Sequence, residues 1–415
     1  MKNSKVLNNT IMLYIMSIAK LILPLLTMPY LTRVLSEEAY GFMSYVRSCI
    51  TYMQLIVDFG FILSSVKDIV NANGDKNKIG TIAGNTFVAK SILCICAAVV
   101  MFIMCVAIEI LRLNILYVIL SFIAVATTVF LADFLFRGIE KMHYITIIFL
   151  IAKSISTVLT FVLVKNDGTM IWIPVLEILA NVISIFISIM ILKKLEIKIG
   201  ITNIKDCLLM IKDSFFYFLS SVATTAFSAL NTLIIGIYIT DLAIVAHWSL
   251  CLTMISAIQG LYAPICNSVY PHMIKERSLR FIHKVMMVIM PVVIAGCIFS
   301  FIIAEEALFI VGGEKYVEAA PVFRWMIPIL FFSFPAQLYG WPTLGAIGRV
   351  KETTTSTVVA AIAQVLGLIV LIITNNLNLI AMAVLRFSTE ALMMIIRMMI
   401  TYMNRDKFVL ERENE

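Results

Sequence analysis

The sequence predicts an all-α polytopic membrane protein, with twelve transmembrane helices in two six-helix lobes around a central cavity. Three observations support this fold class: the composition, the number of long apolar runs and the uneven distribution of positive charge. Of the 415 residues, 61% are apolar and 14% are charged, whereas a soluble domain carries about 25% charged residues. The chain has too few polar side chains to cover its surface, so much of that surface must face lipid.

Twelve apolar runs are long enough to cross a bilayer as helices, which requires about 20 mainly apolar residues. They lie at 8–34, 41–66, 80–108, 113–136, 145–164, 169–192, 214–239, 244–271, 285–304, 322–345, 353–374 and 378–403. The first run continues past Met28, and no small-residue cleavage site follows it. We therefore expect it to remain as the first span and not to be removed as a signal peptide.

Positive charge is concentrated in alternate loops. With the N-terminus in the cytoplasm, 21 Lys and Arg residues fall in inner segments and 5 in outer segments. Because positively charged loops stay inside, both termini are predicted to be cytoplasmic. The longest polar inner stretch, 193–213, separates six spans from six. We therefore predict an N-terminal lobe at 1–200, with the linking inner loop, and a C-terminal lobe at 201–415, with a short cytoplasmic tail.

The motifs of the sequence do not indicate covalent chemistry. Asp58-Phe59-Gly60 matches a kinase magnesium triplet in letters only, since it lies in a predicted span and no nucleotide-binding loop occurs. The eight cysteines lie mostly in apolar runs and follow neither a zinc nor a disulfide spacing. No basic patch interleaved with aromatics suggests nucleic acid. We therefore expect a protein that is not an enzyme, without metal or cofactor, although H+ or Na+ could act as a coupling ion.

Ten ionisable residues lie inside the predicted spans. Each costs about 2.5–3.5 kcal/mol at the centre of an inserted helix. Such residues normally face the bundle interior or a wet cavity, so they indicate a substrate or ion pathway. They are Lys20, Arg47, Lys90, Lys153, Arg386, Arg397, Asp58, Asp133, Glu177 and Glu390.

Helical spacing aligns several of these residues in polar stripes. The second span carries Ser44, Arg47, Thr51, Gln54 and Asp58 on one face. The fifth span aligns Thr146, Lys153, Thr157 and Thr160, and the last span aligns Arg386, Glu390 and Arg397. We expect these stripes to line a polar space.

The first six spans hold four of the cations against three acids, which predicts a cationic cavity suited to a phosphate or pyrophosphate. The predicted substrate-binding residues are Lys20, Arg47, Lys90, Lys153, Thr51, Gln54 and Thr157. The predicted coupling or gating residues are Glu390, Arg386 and Asp58. The alternative is structural, because buried cations also pair with acids on neighbouring helices or extend to the membrane interface. Extension to the interface is favoured for Arg397, and structural roles are favoured for Asp133 and Glu177.

One segment resembles a known family signature. Phe134-Leu-Phe-Arg-Gly-Ile-Glu-Lys-Met-His-Tyr-Ile-Thr146, followed by Lys153, is similar to a motif of the polysaccharide repeat-unit flippases (Wzx-type O-antigen transporters). These belong to the multidrug/oligosaccharidyl-lipid/polysaccharide (MOP) exporter superfamily. Arg137 stands where that family has Gln. The resemblance covers nearly the whole chain, and further matches are Pro24 with Pro29-Tyr30, Tyr40-Gly41, Val57-Asp58-Phe59-Gly60, Gly312-Gly-Glu-Lys-Tyr316, Gly348-Arg-Val-Lys351 and Thr389-Glu390.

The resemblance implies a flippase that moves an undecaprenyl-pyrophosphate-linked oligosaccharide, an O-antigen or capsule repeat unit, from the inner to the outer leaflet. It implies alternating access, coupling to an ion gradient and the bacterial cytoplasmic (inner) membrane. Implied partners are membrane lipids, a polysaccharide polymerase and a chain-length regulator.

Three alternatives stay open. A drug or cation exporter of the superfamily would favour acidic cavities. A lipid II flippase usually has fourteen spans. A polymerase or ligase would need large outer loops with catalytic residues.

Overall fold

The described part of the chain is built mainly from α-helices. A computed structural model describes residues 2–225, 227 and 229–408. Helix accounts for 87% of the structure, and no described residue lies in a strand. Residues 409–415 of the predicted cytoplasmic tail, including Arg412, lie outside the described residues.

The described residues of the first half of the chain form nine α-helices. They are α1 (Lys2–Val34), α2 (Glu37–Asp58), α3 (Phe61–Asn71), α4 (Lys76–Ala107), α5 (Glu109–Arg112), α6 (Ile115–Thr128), α7 (Asp133–Gly138), α8 (Met142–Leu163) and α9 (Trp172–Lys194). The N-cap side chain of Ser36 accepts a hydrogen bond from the amide of Ala39 at 3.1 Å and begins α2. Between α2 and α3 the backbone is left-handed at Phe59 (φ 40°) and Gly60 (φ 81°), so the polar stripe of α2 stops at Asp58.

Ten further α-helices lie in the part of the second half that the structure describes. They are α10 (Ile204–Thr225), α11 (Ala229–Tyr238), α12 (Leu242–Gly260), α13 (Tyr262–Glu276), α14 (Leu279–Ile302), α15 (Ala304–Gly312), α16 (Ala320–Met326), α17 (Pro328–Leu338), α18 (Val350–Ile373) and α19 (Leu379–Met403). A π-helical segment, Tyr339–Gly345, follows α17 directly.

The described residues contain ten helical segments long and apolar enough to cross a membrane. Three of these join consecutive helices, at Glu37–Asn71, Ile115–Gly138 and Leu242–Glu276. Two bent helix pairs raise the number to 12 when each pair is counted as one span. The predicted all-α polytopic architecture is confirmed, and the twelve predicted spans correspond to this upper count.

The seventh and tenth spans begin earlier than predicted. The seventh is predicted at 214–239, but α10 begins at Ile204 and α11 follows it as a separate helix of 10 residues. The charges of Lys205 and Asp206 lower the local hydropathy without interrupting the helix, so an apolar run underestimates its length. The tenth, predicted at 322–345, is the segment Glu314–Met326 joined to Pro328–Gly345 at a bend of 43°.

The described residues pack into two compact units. The N-terminal unit comprises residues up to Val222 together with Thr232–Val245, and the C-terminal unit comprises Ala223–Asn231 together with the chain from Ala246 onwards. Most of α10 therefore packs with the first six spans. The predicted lobe boundary at residue 200 stays a prediction.

Each unit has its own apolar core. In the N-terminal unit α1 packs on α8, α8 on α9 and α2 on both α4 and α6, and Leu135 and Phe136 are fully buried. In the C-terminal unit α19 packs against α16, α17 and α18, and Phe334 and Leu338 are fully buried. Large apolar side chains are exposed on other faces, such as Phe102 at 70% and Ile95 at 68% on α4. These faces suit lipid contact.

Loops of the N-terminal unit that are predicted to share a side of the membrane lie together. The amide of Ser36 donates to Asp167 Oδ1 at 2.8 Å, which joins two predicted outer loops. Lys76 Nζ lies 2.7 Å from Glu196 Oε2, which joins two predicted inner loops. This hydrogen bond from Lys76 lowers the pKa of Glu196. The contacts agree with the predicted alternation of loops and leave open which side is cytoplasmic.

Candidate functional site

A cavity of about 330 Å³ lies inside the N-terminal unit. Its walls come from α1, α2, α6, α8 and α9, and α1 contributes Lys20, Pro24 and Thr27. Pro24 lies inside α1 and has no N–H to donate to the carbonyl of Lys20. Because that carbonyl lacks its usual donor within the helix, the surface of α1 is polar at this point.

Two cations of the cavity form no ion pair with any residue that the structure describes. Lys20 Nζ lies 5.3 Å from the centroid of the Phe149 ring, and Arg47 projects from α2 into the same cavity. Among the described residues, no carboxylate lies within ion-pair distance of either side chain. Both positive charges are therefore available to a ligand.

A third cation is partly neutralised. Lys153 Nζ lies 3.2 Å from Glu177 Oε1, and both side chains line the cavity. The ionised side chains of the cavity wall are thus three cations and one carboxylate, with a formal charge of +2 at neutral pH. Thr157 lines the cavity beside Lys153 on α8.

The remaining predicted binding residues lie outside this cavity. Lys90 Nζ lies 2.9 Å from Asp58 Oδ1, and Gln54 Nε2 donates to Asp58 Oδ2 at 2.8 Å. Gln54 Nε2 also donates to Thr128 Oγ1 at 3.0 Å. These contacts form a polar network between α2, α4 and α6. Thr51 is exposed, and its hydroxyl donates to the carbonyl of Arg47 at 2.8 Å.

Glu177 is a cavity residue for which the sequence favours a structural role. Glu177 begins a polar stripe on α9 that continues with Asn181, Ser184 and Ser188 at helical spacing. This stripe could have indicated from the sequence that Glu177 faces the interior of the helix bundle. Asn181 Nδ2 donates to Thr127 Oγ1 at 2.9 Å, so this stripe faces α6 within the unit.

The predicted residues of the last span are buried in the C-terminal unit. Arg386 Nη1 lies 2.5 Å from Glu390 Oε2, and the two side chains are 8% and 6% exposed. The interpretation that Arg397 extends to the membrane interface is wrong. Arg397 is 8% exposed, and it donates to the carbonyl of Ala336 at 2.6 Å and to Ser356 Oγ at 2.9 Å. Of the predicted coupling residues, Asp58 thus belongs to the N-terminal unit and Arg386 and Glu390 to the C-terminal unit.

The fold is that of the MOP superfamily transporters. A structure of the lipid II flippase MurJ in an inward closed conformation aligns with a TM-score of 0.74 and 12% sequence identity, over 95% of this chain and 87% of that chain. An inward-facing multidrug resistance MATE family transporter of the same superfamily aligns with a TM-score of 0.62 and 15% identity, over 93% of this chain and 98% of that chain.

The chain belongs to the family of polysaccharide biosynthesis proteins, whose pattern it matches over residues 6–277. A protein of Shigella dysenteriae assigned as an O-antigen transporter is 28% identical over 279 residues, which are 66% of this chain and 69% of that protein. A protein of Escherichia coli (strain K12) with the same assignment is 24% identical over 408 residues, 96% of this chain and 97% of that protein. These relatives and fold neighbours are transporters and not enzymes, which confirms the predicted resemblance and the predicted class.

Proposed function

We propose that this chain is a flippase that moves an undecaprenyl-pyrophosphate-linked oligosaccharide, an O-antigen or capsule repeat unit, from the inner to the outer leaflet of the bacterial cytoplasmic membrane. The observation that carries the proposal is the cavity of the N-terminal unit, where Lys20 and Arg47 have no carboxylate within ion-pair distance among the described residues. The assignments of the two relatives as O-antigen transporters support the same class of substrate.

The chemistry of the cavity favours an anionic head group. Lys20 and Arg47 are both exposed, and a phosphate would gain charge-assisted hydrogen bonds from them. The planar fork of Arg47 suits two oxygens of one phosphate, whereas Lys20 supplies a compact charge. Thr157 adds a hydroxyl for the linked sugar or the phosphate.

The size of the cavity indicates which part of the substrate it can hold. At about 330 Å³ it lies at the lower end of small-ligand sites. It therefore suits the pyrophosphate and its nearest sugar, while the polyprenyl tail stays in lipid. Alternating access would then expose this site first to one leaflet and then to the other.

Coupling is part of the proposal. An H+ or Na+ gradient would act through Glu390 with Arg386, and through Asp58, because these carboxylates can exchange a cationic partner for an ion. A polysaccharide polymerase and a chain-length regulator remain proposed partners. A drug or cation exporter is disfavoured by the net positive charge of the cavity wall.

Alanine substitutions in the cavity test the proposed function. Lys20→Ala and Arg47→Ala should leave membrane abundance close to normal, because neither side chain has an acid that would be left unpaired. Complementation of surface polysaccharide in a flippase-deficient strain should fall at least about tenfold, since each charge-assisted hydrogen bond is worth about 1.5–3 kcal/mol. Abundance and complementation are measured on the same cultures.

Lys194→Ala is the matched control, because Lys194 is an exposed cation at the end of α9, far along that helix from Glu177. It should retain both abundance and complementation. Normal complementation by Lys20→Ala and Arg47→Ala together in one chain would refute the anionic-substrate cavity.

A further inference from the structure

A second cavity of about 330 Å³ lies inside the C-terminal unit. Its ionised side chains are Arg386, Glu390 and Arg397, and the amides of Gln259 and Gln337 also line it. The proposed function assigns Glu390 and Arg386 of this cavity to ion coupling, and it assigns no anionic ligand to the cavity. Its chemistry can therefore be considered independently of the proposed substrate.

Arg386 lines this cavity, and its guanidinium has a donor without a partner among the described residues. The residue is 7% exposed, and Nη1 donates to Glu390 Oε2. The guanidinium carbon lies 4.8 Å from the centroid of the Phe227 ring. Nε is buried and has no hydrogen-bond partner among the described residues. A buried donor without a partner is unusual in a folded protein and indicates a group that a ligand or water completes.

Arg397 adds a charge that the described residues do not neutralise. Its guanidinium donates to the carbonyl of Ala336, to Ser356 Oγ and to Thr357 Oγ1. These acceptors are all neutral, so its hydrogen bonds are satisfied while its charge is not. Arginine stays protonated in proteins. With Glu390 ionised, two guanidiniums and one carboxylate leave the cavity wall at a formal charge of +1.

We infer that this cavity binds a monovalent anion, a carboxylate or a halide, with Arg386 as its principal contact. One anion brings the formal charge of the cavity to zero and supplies an acceptor for Nε of Arg386. The amides of Gln259 and Gln337 line the same cavity and would offer hydrogen bonds to the hydroxyls of an acidic sugar whose carboxylate meets Arg386. A free halide offers the same charge without those hydroxyl contacts.

An anion site at Arg386 predicts that two substitutions change the anion affinity in opposite directions. Glu390→Gln removes the only carboxylate among the ionised residues of this cavity wall and raises the formal charge from +1 to +2, so anion affinity should rise. Arg386→Gln removes the principal contact, so anion affinity should fall by at least about tenfold. A purely structural ion pair between Arg386 and Glu390 predicts no increase in anion affinity for Glu390→Gln.

The experiment uses the full-length chain, purified in detergent, in a Lys20→Gln/Arg47→Gln background that removes the unpaired cations of the N-terminal cavity. Bromide, acetate, glucuronate and the neutral control glucose are each titrated into the protein, and binding is measured by calorimetry. A bulky anion in the buffer keeps the ionic strength constant. Saturable binding of bromide or glucuronate, stronger in Glu390→Gln and weaker in Arg386→Gln, is expected. Glucuronate tighter than acetate and bromide identifies an acidic sugar as the ligand, and equal affinities identify a free small anion.

Unchanged anion affinity in both variants, or weaker affinity in Glu390→Gln, would overturn the inference. If Arg386→Gln does not fold, Arg386→Lys keeps the charge and should retain part of the affinity. A readout without substitutions is anomalous diffraction from crystals of the unmodified chain in saturating bromide. A bromide peak within hydrogen-bond distance of Arg386 supports the anion site, and its absence together with no saturable binding of glucuronate contradicts it. Failure of this inference would leave the proposed anionic-substrate site untouched, because that site lies in the other cavity and is tested separately by Lys20→Ala and Arg47→Ala.

Discussion

At the scale of single residues, the ion pair of Lys90 and Asp58 differs from the cavity cations. The side chain of Lys90 is 7% exposed, whereas that of Asp58 is 46% exposed. The buried ammonium group of Lys90 therefore depends on Asp58 to stabilise its charge. Asp58 has other contacts, including Gln54 Nε2 at 2.8 Å. This arrangement suits a stabilising pair at the end of α2 better than a direct ligand contact.

Because Lys90 is more buried than Asp58, substitutions at the two positions should destabilise the protein by different amounts. Asp58→Asn leaves a buried ammonium group without its acid and should lower stability by up to about 3–5 kcal/mol. Lys90→Met leaves a half-exposed carboxylate that retains Gln54, and it should cost about 1 kcal/mol. Thermal unfolding of the detergent-purified variants measures both.

The double variant Asp58→Asn/Lys90→Met is the control for this pair. It should recover much of the stability lost in Asp58→Asn, because the unpaired charge is then removed. Equal losses in the two single variants, with no recovery in the double variant, would contradict a structural pair and would return Lys90 to the candidate binding residues.

At the scale of secondary structure elements, the segment after α17 shows how a broken helix is stabilised within a span. Pro342 has no N–H for the carbonyl of Leu338, and Thr343 Oγ1 donates to that carbonyl at 2.7 Å. Gly340 interrupts the helical backbone with ψ −114°. Arg397 from α19 donates to the carbonyl of Ala336, one turn earlier. Side chains thus replace backbone donors where water cannot.

The close approach of Arg397 from α19 predicts that a side chain at Gly340 destabilises the protein. A Cβ at Gly340 would lie 2.7 Å from Arg397 Nη1, so Gly340→Ala should displace the guanidinium from Ala336. Loss of one charged hydrogen bond to a buried carbonyl should cost about 1.5–3 kcal/mol. Unfolding temperature is the measurement.

Gly296→Ala on α14 is the matched control, because a Cβ there meets no atom within 4 Å. It should leave the unfolding temperature close to that of the unmodified chain. Equal effects of Gly340→Ala and Gly296→Ala would show that the approach of Arg397 does not determine the packing of this segment.

At the scale of the whole molecule, the positive-charge bias predicts the orientation in the membrane. Single cysteines at Asp75, Lys205 and Glu276 should be shielded from an impermeant thiol reagent in intact cells, and one at Glu314 should be labelled. All eight native cysteines are first replaced, since Cys96 is exposed. Labelling of Lys205→Cys from outside would reverse the proposed orientation.

The accuracy with which the sequence predicts the position of a charged residue differs from site to site. The charges of the spans could be predicted to avoid lipid, and Arg47 and Lys153 do line a cavity. Spacing also placed Gln54 and Asp58 on the face of Arg47, yet they form a network with Lys90 at another level of α2. A helical stripe defines direction around an axis, but it does not specify which neighbouring helix lies at each height.

The sequence by itself determined the helical membrane architecture, because lipid admits few polar side chains and requires every backbone group to be bonded within a helix or a barrel. It also determined which charges are too costly to face lipid. Only the tertiary structure decided which of those charges are neutralised. Glu177 neutralises Lys153, Asp58 neutralises Lys90, and Arg397 is held by neutral acceptors. The physical reason is that an ion pair acts over a few ångströms, and such distances between distant segments are set by helix packing.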